Sequence, residues 1–173
     1  FSVGGTNDSN ENGVTYAAFC WKAGNGTVEN NDGTNISTVS VNQDAGFSIV
    51  KYTGTGAAMT IGHGLSVEPK LTIIKDRDAA VNWIVYTRVI DGSLDYLFLD
   101  TTAAAGNSGL TGPNSSIWNM QVASSYSNTS GRNYIAYCWT DIEGYSKFGT
   151  YKGNGNANGP FVYTGFKPAF TIC

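Results

Sequence analysis

The sequence predicts an all-β chain, built of antiparallel β-sandwich modules of jelly-roll-like type in tandem, with little or no helix. Three observations carry this expectation. Apolar and polar residues alternate at period two along most of the chain, and no stretch of useful length has helical spacing. Clusters that suit turns interrupt the alternation at short intervals, as in Ala23-Gly24-Asn25-Gly26, Asn31-Asp32-Gly33 and the run from Gly153 to Pro160. The third is an internal echo: Ala18-Phe19-Cys20-Trp21 returns as Ala136-Tyr137-Cys138-Trp139, and Gly46-Phe47-Ser48 with Lys51-Tyr52-Thr53-Gly54 returns as Gly144-Tyr145-Ser146 with Thr150-Tyr151-Lys152-Gly153. The copies lie roughly 100 to 120 positions apart, a domain's length and well beyond a solenoid period.

In chain order, the first strand is expected at 15–21, ending at the Cys20-Trp21 pair that precedes the first glycine turn. Segment 23–45 has only a five-residue counterpart after Trp139, so it reads as a surface insertion able to form its own hairpin around Asp32-Gly33. Strands at 46–52 and 58–61 flank Thr53-Gly54-Thr55-Gly56. The strand at 70–75 contains Leu71-Thr72-Ile73-Ile74, apolar at nearly every position, as expected of a central strand covered on both faces. Its expected neighbour is 82–88, with Trp83-Ile84-Val85-Tyr86, and Asp76-Arg77-Asp78-Ala79-Ala80 is the hairpin loop between them. A strand at 95–99 follows, then a loop of small residues at 102–114, and strands at 117–122, 134–139, 145–151 and 161–163.

The phase of the echo sets the expected domains. Phe1-Ser2-Val3 leads into the first Cys-Trp pair as Met120-Gln121-Val122 leads into the second, so residues 1–45 read as the end of a preceding repeat plus the insertion. Residues 46–143 then form a complete sandwich repeat of about seven strands. Residues 144–173 begin a following one, because Lys167-Pro168-Ala169-Phe170-Thr171-Ile172 parallels Glu68-Pro69-Lys70-Leu71-Thr72-Ile73. The expectation is a window on a longer polypeptide.

Composition narrows the function. Only 13% of residues are charged, the formal net charge is -3, and the few Lys and Arg are scattered. That balance argues against electrostatic binding to nucleic acid or to acidic lipid. No apolar stretch is long enough for insertion into a membrane as a helix. Aromatic residues reach 13%, which suits a β-rich core and a surface able to stack on sugars. Three cysteines make no disulfide framework; Cys20 and Cys138, at equivalent repeat positions, are expected as buried thiols inside strands. No zinc spacing, nucleotide-binding loop or serine-hydrolase elbow is present, and no cofactor is implied.

His63, the single histidine, sits between glycines with no nucleophile nearby and is expected to close a turn. Asp76, Asp78, Asp91, Asp95 and Asp100 invite a glycosidase reading, yet each lies at a turn or strand end where Asp is common for capping reasons. Asn30, Asp32 and Asn35 make a poor calcium loop because Val28 stands where its acidic first ligand belongs. Asn-x-Ser/Thr triplets occur at Asn7, Asn25, Asn35, Asn114 and Asn128, a number that a chain so rich in these residues supplies by chance.

Gly46-Phe47-Ser48-Ile49-Val50-Lys51-Tyr52-Thr53-Gly54, His63-Gly64-Leu65 with Pro69-Lys70-Leu71-Thr72-Ile73-Ile74-Lys75, Tyr134-Ile135-Ala136-Tyr137-Cys138-Trp139, and Gly159-Pro160-Phe161-Val162-Tyr163-Thr164-Gly165-Phe166 together resemble a β-repeat domain of bacteriophage tail-fibre-like and other virion structural proteins of marine phage type. The resemblance implies a virion or extracellular location, identical subunits as partners, trimeric by analogy, and contact with a host cell-surface glycan. It supplies no catalytic residue. The expected function is therefore a structural and binding module of a tail fibre or related appendage. The alternative is a secreted carbohydrate-binding adhesin or glycoside-acting enzyme with a similar sandwich. The candidate ligand contacts are the loops 76–80 and 91–95, with Asp76, Asp78, Asp91 and Asp95, helped by the aromatic rings of Trp83 and Tyr96.

Overall fold

A computed structural model describes residues 4–5, 7–120 and 123–173. Among them the only helix is one turn, α1 (Asn7–Asn10), and ten strands make up the rest of the regular structure. They are β1 (Val28–Asn30), β2 (Ser37–Asn42), β3 (Phe47–Thr53), β4 (Met59–Gly62), β5 (Leu71–Asp76), β6 (Ile84–Thr87), β7 (Asp95–Phe98), β8 (Gly106–Asn107), β9 (Ile117–Met120) and β10 (Asn133–Trp139). Eight of them form one antiparallel sheet in the order β1-β2-β3-β10-β5-β6-β7-β8, and β4 pairs with β9 in a second, two-stranded sheet. The fold is an all-β sandwich of two unequal layers.

Strict alternation explains why the layers close. Along β10 the burial alternates at every residue, so Tyr134, Ala136 and Cys138 point inward while Ile135, Tyr137 and Trp139 point outward. The register places Cys138 opposite Thr72 on one side and Ser48 on the other, and Ala136 opposite Ile74 and Val50. The inward residues of β3, β5, β6 and β10 form a floor, and Met59, Ile61, Trp118 and Met120 from the small sheet cover it. Trp118, only 1% exposed, packs on Tyr86 with ring centroids 4.9 Å apart and planes tilted at 57°, and donates its indole N–H to Thr72 Oγ1 at 3.0 Å. Burying so large a ring with its one polar atom satisfied makes it the main fastening between layers. The Thr72 hydroxyl is passed on to Cys138 Sγ at 3.8 Å, and burial pushes that thiol's pKa up to about 12.

The expected hairpin in segment 23–45 forms as β1 and β2, with Val28 opposite Val39, and it extends the large sheet beyond β3. Two close approaches hold it against β4. A Cβ on Gly33 would lie 2.3 Å from the Thr60 carbonyl oxygen, and one on Gly62 would overlap the Asn30 side-chain amide. Only glycine fits at either place.

Three expected strands do not form. Residues 15–21, 145–151 and 161–163 carry strand-like sequences but have no ladder partner, and most of their side chains are exposed. Cys20 is accordingly exposed rather than buried, because no strand pairs with its segment as β3 and β5 pair with β10 on either side of Cys138. The loop expected at 102–114 contains the two-residue β8, paired with Asp95 and Tyr96. Residues 121–122, the end of the strand expected at 117–122, and Phe1-Ser2-Val3 lie outside the described residues.

Candidate functional site

The carboxylates chosen as candidate ligand contacts separate onto two ends and two faces of the large sheet. Ile74 is opposite Ile84, and Leu71 is opposite Thr87, which is in turn opposite Asp95. Asp76 therefore lies at the Trp83 end of β6 on the inner face, while Asp95 lies at the Thr87 end on the outer face. At the strand rise this separates them by about 17 Å along the sheet. A glycosidase pair requires about 5 to 9.5 Å, with both groups on one cleft.

Each group has structural work. Asp76 is buried; its Oδ1 accepts the backbone N–H groups of Asp78 at 2.8 Å and Ala79 at 3.0 Å, and its Oδ2 meets Arg132 Nη1 at 3.1 Å. Burial alone would raise its pKa, but these donors and the Arg132 charge outweigh it and hold the carboxyl below its ordinary value. Asp78 accepts both the backbone and the side-chain N–H of Asn133, at 2.7 and 3.0 Å, tying the β5–β6 loop to the start of β10. Asp91 accepts the Ser93 N–H at 2.8 Å and its hydroxyl at 2.6 Å, and these bonds lower its pKa. The same hydroxyl reaches Asp95 Oδ1 at 3.3 Å. A general acid needs the opposite shift. Asp100 accepts the Trp83 backbone N–H at 3.3 Å.

Trp83 belongs to the outer face. It stacks on Tyr137 with centroids 6.4 Å apart, under the Lys75 ammonium at 6.0 Å, in a row continued by Trp139 and Phe47. Tyr96 belongs to the inner face. The predicted pair of rings is therefore divided by the sheet itself.

Tyr96 leads to the feature that sequence reading missed. The small sheet covers only part of the large one, and the inner face of β6 and β7, together with Trp118 and Met120 of β9, lines a cavity of about 310 Å³. Tyr86, Tyr96, Phe98 and Tyr126 supply aromatic walls, while Asn107, Ser108, Ser124 and Ser127 bring amide and hydroxyl groups. No Asp, Glu, His, Lys or Arg is among the lining residues described. The walls are well supported. Phe98 packs on Tyr126 at 4.9 Å and on Tyr96 at 5.8 Å, and a Cβ on Gly106 would lie 2.8 Å from the Tyr96 ring, so the ring sits directly over the glycine opposite it. At the back, Tyr52 donates its hydroxyl to the Ser127 carbonyl at 2.8 Å, and the Tyr86 hydroxyl lies 3.4 Å from Ser127 Oγ. Tyr126, Ser124 and Ser127 come from a segment far from Tyr96 in sequence, with no shared spacing that could have announced the cavity.

The remaining motifs resolve as turns. His63 is fully buried, with Nε2 donating to the Asn114 carbonyl at 3.0 Å and Nδ1 accepting the Leu65 N–H at 3.2 Å. Burial lowers its pKa and keeps the ring neutral. Asn30 and Asp32 bond to each other at 3.0 and 3.1 Å. Among the described residues no three His, Cys, Asp or Glu gather as a metal site would require, and no helix is long and apolar enough to cross a membrane. Asn128 is fully buried, its Oδ1 accepting Thr55 N–H at 2.9 Å and its Nδ2 donating to the Ala57 carbonyl at 2.8 Å, so in the folded chain it is closed to glycosylation.

No curated protein and no solved structure matches this chain. A family model described as a domain of unknown function matches residues 1–173, so the exposed terminal segments and the sandwich are parts of one family pattern, and the chain belongs to the DUF7483 family.

Proposed function

We propose that the chain is a structural and binding module of a virion appendage of the phage tail-fibre kind, and that the cavity between Tyr96 and Tyr126 receives a sugar of a host-surface glycan. The observation that carries the reading is the cavity's chemistry. Uncharged rings offer faces for the C–H side of a sugar, and Asn107 with the serines offers hydrogen bonds to its hydroxyls. Its volume, about 310 Å³, falls at the lower end of the range of about 300 to 1,000 Å³ for ligand sites. The sparse charge of the chain agrees with a neutral ligand, and the tail-fibre context rests on the sequence resemblance. A glycoside-acting enzyme is the less favoured reading, since it needs two carboxylates at the sugar and the described lining has none.

A glycan array followed by titration calorimetry tests this. Tyr96→Ala and Tyr126→Ala are expected to weaken binding at least tenfold, whereas Trp83→Ala, on the other face, leaves it unchanged. Undiminished binding in both tyrosine variants would remove the cavity from consideration, and release of free sugar by the native chain would restore the enzyme.

A further inference from the structure

Two aspartates of the large sheet are buried, and the fold treats them differently. Asp76 receives two backbone N–H groups and the Arg132 guanidinium. Asp95, only 6% exposed, has an Oδ2 with no hydrogen-bond partner among the described residues. Its Oδ1 has one neighbour, Ser93 Oγ at 3.3 Å. That hydroxyl has a single proton to give, and it lies closer to Asp91 Oδ1, at 2.6 Å. The proton goes to Asp91, so neither oxygen of Asp95 receives a donor.

What Asp95 meets instead is a second carboxyl, since Asp91 stands within hydrogen-bonding reach of it. No cation of the chain relieves the pair. The ion pairs among the described residues use Glu68, Asp76 and Asp141. Arg88, the basic residue nearest in sequence, is held by Glu68 at 3.5 Å and by the Thr111 carbonyl. A carboxylate buried beside another without positive charge is strongly unfavourable, so the arrangement calls for a cation from outside.

The surrounding oxygens are arranged to hold one. Asp91, Ser93 and Asp95 converge from alternate positions of one short segment, around the Ser93 hydroxyl. Asn107, opposite Asp95 in the β7–β8 ladder, donates its Nδ2 to Ser93 Oγ at 2.8 Å, and its own amide is fixed by accepting the Gly109 N–H at 2.8 Å. With one proton given and one accepted, the Ser93 hydroxyl keeps a lone pair for a further partner.

We propose that Asp91, Ser93 and Asp95 bind a calcium ion. Every donor is an oxygen, which suits a hard cation and not zinc or copper. Asp91 is exposed, so the ion can enter on that side and water can complete its shell. Calcium accepts about six to eight oxygens in flexible geometry, neutral ones included, whereas magnesium demands a near-ideal octahedron that this uneven set does not offer. The ion ties the turn before β7 to the strand itself, at the edge of the sheet that β8 closes. It lies on the outer face, opposite the Tyr96 ring, and does not depend on a sugar in the cavity.

Calcium titration of the whole, chelator-washed chain at neutral pH tests the site by calorimetry and by amide NMR. One ion per chain is expected, with a Kd of about 10⁻⁴ to 10⁻³ M, as for modules with few charged ligands. The amide signals of residues 91–95 and 107 should move with the same saturation curve. Asp95→Asn and Asp91→Asn should each weaken binding at least tenfold, while Asp44→Asn, which removes the same charge from an exposed position elsewhere, leaves it unchanged. Asp91 is exposed, so its variant is expected to fold even if Asp95→Asn does not, and thermal melts in chelator check both. Absence of a saturable response in the native chain would overturn the proposal and leave the two carboxyls sharing a proton. Binding that survives both substitutions, or magnesium binding as tightly as calcium, would overturn it equally.

Discussion

The same four-residue theme occupies two regions of this molecule and has two fates. In β10, Ala136-Tyr137-Cys138-Trp139 is hydrogen-bonded on both sides and Cys138 is sealed from solvent; in the N-terminal segment, Ala18-Phe19-Cys20-Trp21 belongs to no strand and is exposed. The side chains are nearly the same, so the difference is made by neighbours. A strand sequence specifies which face is apolar, and the fold decides whether anything comes to cover it.

The sharpest way to break the comparison is to place a charge at both cysteines. Cys138→Asp would bury an unpaired carboxylate at the centre of the sheet, a change of several kcal/mol that we expect to abolish cooperative unfolding. Cys20→Asp, at the matching position, should leave the urea midpoint of the isolated chain within about 0.5 kcal/mol of the native value. Equal losses in circular dichroism melts would mean that the N-terminal segment is as embedded as β10.

Next in size is the fastening between layers. Trp118→Ala removes a ring at 1% exposure and leaves Thr72 without its donor, and the expected cost is about 3 to 5 kcal/mol in urea denaturation. Trp21→Ala should cost under about 0.5 kcal/mol, since its ring is 45% exposed.

The smallest effect concerns pH. His63 is buried and neutral, with a pKa below its ordinary 6.5, so below that pH the unfolded chain binds a proton that the folded chain refuses. Stability is complete above pH 6.5 and falls as pH drops towards the folded-state value, by no more than about 1.4 kcal/mol per pH unit. As His63 is the single histidine, urea midpoints between pH 7.5 and 5.5 should lose this slope in His63→Gln. Asp76 adds a second loss at lower pH. Its folded pKa is depressed below the ordinary 3.8, so its contribution is present above that pH and disappears as pH falls through the folded value.

The fold was legible wherever alternation coincided with a partner. Leu71-Thr72-Ile73-Ile74 reads as a central strand and is one, between β10 and β6, and Asp32-Gly33 marks a real hairpin. It was misread at 15–21, 145–151 and 161–163 because alternation reports a capacity to pair and is silent about availability of a neighbour. The structural roles of Asp76 and His63 could be expected from their turn settings. The cavity could not, since Tyr96 in β7, Trp118 in β9 and Tyr126 in the segment after β9 line it together without any shared local pattern.

β10 is the last described strand in sequence and the fourth of eight in the large sheet, with three strands on one side and four on the other. Until residues 133–139 leave the ribosome, β1-β2-β3 and β5-β6-β7-β8 are two separate ribbons with no strand pairing between them. Neighbours such as Tyr52 and Tyr134, stacked at 5.3 Å, are brought together from distant parts of the chain only at that moment. Such late, non-local closure makes for slow folding, with two bare edges waiting on the nascent chain. The final strand thus acts as the keystone of synthesis, and any interruption of translation before Asn133 delivers two ribbons ready to find the wrong partner.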